Sequence, residues 1–395
     1  MKTAWTTIVL AAVLLALPAA AEESKAGAKD KLEAVVGKGA DWLVAQQKDG
    51  AWLDQGGKPD VGITGLVVAG LAGAPAAVLA KHQKAVDAGI DYLLKNQQES
   101  GAIFERDKIP TLSNYKTSVA LMALAAYGQD RVKDAVAKAR TYLEGTQFGE
   151  SHMKVQQDDM NYGGWDYDEK SQKPGADMSN VQFALEALHK AGLPAESEAW
   201  KRAQRFLNRC QNRSESNDFS EQLGKQGVKV QNDGGFVYDP FASKAGMIDL
   251  PGGGKGLLSY GSMTYAGLKS FIYAHVDKQD PRVQAAYGWL RARWTLDENP
   301  GLRTDADPKL GKQGWYYYFH TLSKALAAYG EKTLKDDKGV EHAWANELVA
   351  KLASLQQEDG SWVNSEQPRW WEDYRPLATS YVLMALNEAR GFVTE

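Results

Sequence analysis

The chain carries one cysteine, Cys210, in 395 residues. A lone thiol closes no intrachain disulfide, so stability has to come from packing, and Cys210 itself reads as a small buried hydrophobe. After residue 21 no apolar run approaches the roughly 18 residues that a membrane-crossing helix needs. Basic clusters are missing too: 46 Lys and Arg stand against 50 Asp and Glu, for a net charge of −4. That balance argues against a nucleic-acid partner, whose phosphates select a basic stripe. What the chain has in excess is aromatic surface: 12 Trp, 17 Tyr and 10 Phe. So much buriable area excludes low-complexity disorder.

Residues 1–21 read as an address and not as part of the fold. Lys2 gives a positive start, residues 8–17 are uninterruptedly apolar, Pro18 breaks the run, and Ala19, Ala20 and Ala21 offer a small-residue cleavage site before Glu22. This is the pattern of a secretory signal peptide, with an uncleaved anchor as the alternative. Residues 22–395 are therefore expected to be one exported domain, periplasmic or secreted, with no transmembrane segment in the mature chain.

Internal similarity is the strongest signal in the sequence. An aromatic or Leu is followed five residues later by Gln at Trp42 and Gln47, Tyr92 and Gln97, Tyr142 and Gln147, Phe206 and Gln211, and Leu352 and Gln357. A sixth copy, Trp289 to Trp294, ends in Trp. Glycine with a nearby aromatic comes next: Gly50 and Trp52, Gly101 and Phe104, Gly164 and Trp165, Gly235 and Phe236, Gly314 and Trp315, Gly360 and Trp362. An Ala- and Leu-rich stretch follows each turn. The helix before each Gln is amphipathic, whereas the one after the turn, as in residues 118–127, is apolar nearly all round. Six hairpins with buried inner helices and solvated outer ones satisfy both patterns. Asp60, Ser113 and Asp177 are the expected N-caps of inner helices. The repeated Thr64, Thr117, Thr264 and Thr379 are expected to bond back within their own helices. Long insertions at residues 148–162, 212–232, 240–258 and 297–313 all join an outer helix to an inner one, so they should roof the same mouth of a ring, and a site is expected beneath them.

The turns Gln46-Gln47-Lys48-Asp49-Gly50-Ala51-Trp52 and Gln356-Gln357-Glu358-Asp359-Gly360-Ser361-Trp362 resemble the QW motifs of the prenyltransferase/squalene-oxidase repeat family. The resemblance extends over all six repeats, and residues 261–270 and 325–330 are similar to exported bacterial members. It implies an all-α fold, an (α/α)6 toroid of six helix-hairpin repeats, as in squalene-hopene cyclases and the β subunits of protein prenyltransferases. The catalytic motifs of those relatives are not matched. For the D-x-D-D-T acid motif, Asp177-Met178-Ser179-Asn180-Val181 and Asp60-Val61-Gly62-Ile63-Thr64 keep only the first Asp. The zinc-binding D-x-C is absent, since Asn208 stands two before Cys210. Asp158-Asp159 does not continue as D-D-x-x-D. The Gly-Cys-Gly-Glu-Gln thioester segment of related toroids is missing as well. No cofactor and no metal are expected.

The remaining candidates follow from residue chemistry. Trp315 to Phe319, then His320, open the fifth inner helix, and Trp370, Trp371, Asp373, Tyr374 and Arg375 open the sixth. Trp165, Tyr260, Trp315, Tyr318, Trp371 and Tyr374 are the candidate ligand-binding residues, because stacked aromatics suit an apolar polycycle or a sugar ring. Asp177, His320 and Asp373 are the catalytic candidates: a histidine exchanges protons near neutrality and a carboxyl can act as an acid. Lys269 and Lys324 occupy an otherwise apolar repeat position, with Asp177 or Asp373 as possible partners or their ammonium groups snorkelling to the surface. Two ligand classes stay open, an isoprenoid-like apolar molecule in a central cavity and a glycan handled by Asp166, Asp168, Asp177, Glu372 or Asp373, beside a non-catalytic interaction toroid. Whether the protein is an enzyme is left open by the sequence.

Overall fold

The computed structural model describes residues 27–109, 111–169 and 173–395; the expected signal peptide lies outside them. Helices are numbered along the chain. An outer set comprises α1 (Ala28–Ala45), α3 (Ala76–Lys95), α5 (Lys133–Gly145), α7 (Glu198–Cys210), α10 (Pro281–Ala292) and α12 (Trp344–Leu355). The inner set is α2 (Val61–Ala72), α4 (Ser113–Tyr127), α6 (Met178–Lys190), α9 (Gly261–Tyr273), α11 (Trp315–Tyr329) and α13 (Arg375–Ala389). Each inner helix packs on the next, and α13 returns to α2 as α12 returns to α1, so the ring is closed. Among the described residues no helix is long and apolar enough to cross a membrane.

Helix boundaries follow from local chemistry. Asp60 and Asp177 cap α2 and α6 by accepting the N–H groups of Ile63 and Asn180. Ser113 does not cap α4: Leu112 precedes the helix at φ 51°, and the Ser113 hydroxyl instead accepts from the Tyr142 hydroxyl and from Glu169 N–H. Gly128 and Gly330 end α4 and α11 in the left-handed conformation that glycine adopts without strain. Most polar side chains of α7, Arg209 excepted, face water while Trp200, Ala203, Phe206 and Leu207 face inward, whereas α4 buries nearly every residue from Ser113 to Leu124.

One arrangement recurs between repeats. The side-chain amide of Gln47 donates to the carbonyls of Ala85 (2.8 Å) and Gly50 (3.3 Å), tying its own turn to the next outer helix. Gln97 reaches Ala135 and Gly101, Gln147 reaches Ala199 and Gly163, and Gln211 reaches Arg282 and Gly234 in the same way. In the sixth repeat Gln356, and not the expected Gln357, donates to Gly360 and to Val35 of α1, which joins the last repeat to the first. The turn glycines have positive φ, and a Cβ at Gly163 would lie 1.9 Å from the Arg202 carbonyl oxygen, so only glycine fits. At the third and fourth turns, where two glycines adjoin, the positive φ falls on Gly163 and Gly234.

The inner helix completes the clamp. Thr64, Thr117, Thr264 and Thr379 accept the backbone N–H of Trp52, Ile103, Phe236 and Trp362, at 2.8 to 3.1 Å. Only Thr264 also shows the expected bond within its own helix, to Tyr260. Trp52, Trp165 and Trp362 are fully buried and donate their indole N–H to the outer-helix carbonyls of Leu43, Leu143 and Leu352. The fifth repeat departs from this pattern: Gly314 and Trp315 are the cap and first residue of α11, and no Gln clamp is made there.

The insertions share one end of the ring. The two between α7 and α9 together carry α8 (Ser220–Lys225) and a sheet of β1 (Val228–Lys229), β3 (Lys255–Leu257) and β2 (Met247–Asp249) in that order, parallel then antiparallel. Arg209 pins two insertions together, bonding Asp218 and the carbonyls of Gln157 and Asp159. A two-stranded ribbon, β4 (Leu334–Lys335) with β5 (Glu341–His342), sits at the opposite end. These strands are short additions to an otherwise helical fold.

Replacing Gln211 by Leu removes both of its hydrogen bonds, one of them buried. The expected loss is about 1–3 kcal/mol, read as a lower urea midpoint at unchanged slope. An unchanged midpoint would remove the clamp from this account.

Candidate functional site

The site lies where the inner helices begin, beneath the insertions. Tyr115 of α4, Phe183 of α6, Tyr317 and His320 of α11, and Tyr381 of α13 form a continuous set of rings. Tyr115 meets Phe183 edge-on at 5.6 Å, Phe183 lies 6.1 Å from Tyr317 and 6.0 Å from His320, and Tyr381 lies 5.7 and 5.2 Å from the same two rings. Helices α6 and α11 are not neighbours in the ring, because α9 stands between them. Their ring contacts therefore cross the axis, and the aromatic side chains close it. Tyr167, from the turn before α6, meets Tyr115 from the roof side at 6.1 Å with the rings tilted by 47°.

Behind these rings sits Asp177. One carboxylate oxygen accepts the Asn180 N–H at 3.0 Å and the other the Asn180 amide at 2.7 Å. Burial pushes its carboxyl up to about 6 against the lowering effect of those two bonds. Tyr260 is buried at the start of α9, and its hydroxyl is raised well above the usual range by burial, then by Tyr317 and the charge of Asp177. On the roof, Glu372 is 1 % exposed, accepts the Tyr317 N–H and the Asn364 amide at 2.8 Å each, and thereby caps α11. Burial raises its carboxyl to about 7.

His320 is fully buried and neither ring nitrogen has a hydrogen-bond partner. Burial, then the Lys324 charge, hold it well below the usual imidazole range, so it is neutral and does not exchange protons near pH 7. Asp373 faces away from the rings: it is exposed and accepts from Gln55 on the roof. Of the six aromatic candidates, only Tyr260 lies beside the interior group. Trp165 is engaged with Leu143, and the Tyr318 hydroxyl donates outward to Thr295 at 2.7 Å. Trp315 lies under the Lys312 ammonium at 3.3 Å, and the Tyr374 hydroxyl donates to Leu53. Trp371 is 53 % exposed at φ 66°, beside Trp370 at φ 61°. Among the other carboxylates offered for glycan chemistry, Asp168 accepts from Leu112 N–H and the Thr111 hydroxyl.

Lys269 and Lys324 do not snorkel, nor do they pair with Asp177 or Asp373. Both are buried and bond Glu186 of α6, Lys269 at 2.7 Å. Burial alone would raise Glu186, but Lys269, Lys324 and Lys190 hold it well below the usual carboxylate range. Burial lowers Lys269 to about 8. Neither Glu186 nor the ring-forming Tyr115, Phe183 and Tyr381 was singled out from sequence. The available signal was Gln182 and Glu186 spaced one turn apart in an otherwise apolar helix, opposite two aligned lysines.

Among the described residues no group of His, Cys, Asp or Glu is arranged to hold a metal ion. Cys210 is buried, and burial raises its thiol well above the usual range, leaving it inert.

The model of the squalene-hopene cyclase C-terminal domain matches residues 57–221. Over those residues the chain is similar to squalene-hopene cyclases, and the fold as a whole is an α/α toroid. Similar folds are found in the type II terpene cyclase MstE from Scytonema, at 16 % identity over 92 % of this chain and 99 % of that one, with a TM-score of 0.50. A protein from Actinoplanes is similar at 17 % identity over 91 % and 99 %, TM-score 0.52. D-mannose isomerase is similar at 15 % identity over 91 % and 96 %, TM-score 0.52. A comparison with curated proteins gives no match. At these identities the toroid is shared, and its chemistry has to be argued from the residues present.

Glu372 supplies a direct check on the roof. A carboxyl raised in the folded state binds more protons folded than unfolded between about pH 4.5 and 7, so its contribution to stability falls as pH rises through that window. The Glu372→Gln toroid is expected to lose part of the decline in urea midpoint that the parent shows from pH 4.5 to 7.5. Parallel pH profiles of the two proteins would contradict the assignment.

Proposed function

We propose that the protein binds an isoprenoid-type ligand at the roofed end of the inner ring, between the crossing rings of Tyr115, Phe183, Tyr317, His320 and Tyr381. The observation that carries this reading is that aromatic contact across the axis, with the buried carboxyl of Asp177 and the Tyr260 hydroxyl set behind it. The rings suit an apolar chain, and the polar groups suit a single hydroxyl or carbonyl at its head. The MstE toroid, of the same fold, is described with geranylgeranyl dihydroxybenzoate as substrate and merosterolic acid A as product. Because the rings already touch one another, the ligand enters by replacing ring–ring contacts, and binding is coupled to their rearrangement.

The reading is one of binding. Alkene protonation in the manner of the related cyclases needs an acid motif of which this chain keeps one residue, Asp177, and that carboxylate is engaged in capping α6 through Asn180. Export of the mature protein from the cytoplasm forms part of the same proposal and rests on the residue pattern at positions 1–21.

The test is thermal unfolding with farnesol and geranylgeraniol, on the parent and on Phe183→Ala. Truncating this buried ring should cost about 3–5 kcal/mol without ligand. It also opens room between the remaining rings, so the alcohols are expected to raise the melting temperature of both proteins and to raise that of the variant more. If neither alcohol shifts either protein, and native mass spectrometry of the purified chain finds no apolar adduct, the proposal fails.

A further inference from the structure

The opposite end of the ring holds a second arrangement, where the inner helices finish. A cavity of about 60 Å3 opens there, lined by Ala69, Met122, Met384, Lys324, Asn387 and Glu388, with Ala126 and Lys190 exposed at its rim. Its walls come from α2, α4, α6, α11 and α13, so it lies on the axis. That is room for a few heavy atoms, too small for a sugar ring or an isoprene chain.

The charges around it are unevenly matched. Lys269, Lys324 and Lys190 surround Glu186 and Glu388, three ammonium groups against two carboxylates. His320, His189 and Tyr273 also face the cluster; burial holds both imidazoles below their usual range and the phenol above its own, so none adds a charge near pH 7. The hydrogen-bond inventory is unmatched in the same direction. Lys324 spends one N–H on each carboxylate and has a third. Lys190 lies 3.6 and 4.0 Å from Glu388 and Glu186, beyond hydrogen-bond reach of both. On the acceptor side, Asn387 donates its amide to Gly70 at 2.7 Å, which fixes its orientation and leaves its buried carbonyl oxygen without a donor.

We infer that this cavity is a binding site for a small hydroxyl-bearing monoanion, of the bicarbonate or glycolate type. One negative charge balances the surplus ammonium group. The anionic oxygens take the remaining N–H groups of Lys324 and Lys190, and the single hydroxyl donates to Asn387. Met122, Met384, Ala69 and Ala126 limit the ligand to two or three heavy atoms beyond its charged group. The site is separate from the aromatic mouth, so it stands whether or not the isoprenoid reading holds.

The test is titration of 13C-labelled glycolate and bicarbonate into the full mature chain, followed by NMR line broadening, with acetate as the analogue lacking a hydroxyl. Saturable binding of glycolate or bicarbonate is expected, at least tenfold tighter than acetate. Ala126→Phe fills the cavity from its exposed rim without touching a charge, and should abolish the broadening. Lys190→Met leaves Glu186 paired with both buried lysines and should weaken binding about tenfold, its fold checked by unchanged urea unfolding slope. Absence of saturable binding by either hydroxy anion in the parent would overturn the inference. So would Ala126→Phe binding as the parent does.

Discussion

The whole ring depends on one repeated constraint: a glutamine side chain whose two amide hydrogens are divided between its own turn and the next outer helix. A hairpin of one outer and one inner helix cannot bury both faces alone, and the amide fixes where the neighbouring hairpin sits. Five such residues, Gln47, Gln97, Gln147, Gln211 and Gln356, act in this way, and Gln356 joins the sixth repeat to Val35 in the first. Closure matters because a ring with no end helix leaves no buried face exposed. In four repeats a threonine of the inner helix accepts the turn N–H and sets inner against outer, so those turns are held from both layers.

Closure also explains how polar groups come to lie inside. Apolar inner helices alone would fill the axis with leucine and alanine, as α4 does along most of its length. At one end the axis is instead crossed by rings, with Asp177 and Tyr260 behind them. Near the other it carries Glu186 between two lysines contributed by α9 and α11. Isolated, any one of these charges would cost several kcal/mol to bury. Placed around Glu186, the ammonium groups offset its desolvation, and the carboxylate keeps Lys324 above its usual range. The chain thus separates an aromatic mouth under the roof from a charged cavity beyond it.

Sequence carried the architecture well because the repeat is written in residue types with narrow uses. Gln at the clamp, Gly at positive φ and Trp in the turn each recur in register, and the six hairpins and the shared end of the insertions follow from them. The misassignments are local. The clamp of the sixth repeat falls on Gln356 where the repeat spacing points to Gln357, because two glutamines adjoin there. Trp315 resembled a turn tryptophan, but the insertion before it makes Gly314 a helix cap. The site was less legible, since the residues that meet across the axis are separated by whole repeats. Phe183, His320 and Tyr381 share no sequence spacing that shows their contact. Trp165, Trp315 and Tyr318 attracted notice as aromatics, yet aromatic side chains serve the turns and the outer contacts as readily as a cavity. Glu186 was hidden for the opposite reason, as one acidic residue in a helix read only for its apolar length.

The claim on which the functional account rests is that a ligand replaces the ring contacts that close the axis under the roof. Hydrogen exchange by mass spectrometry, with and without geranylgeraniol, tests it at the level of peptides. Added protection is expected in the first two turns of α4, α6, α11 and α13, which carry Tyr115, Phe183, Tyr317 and Tyr381, with the outer helices unchanged. Unaltered exchange in all four inner-helix starts at saturating ligand, or protection confined to the outer helices, would contradict it.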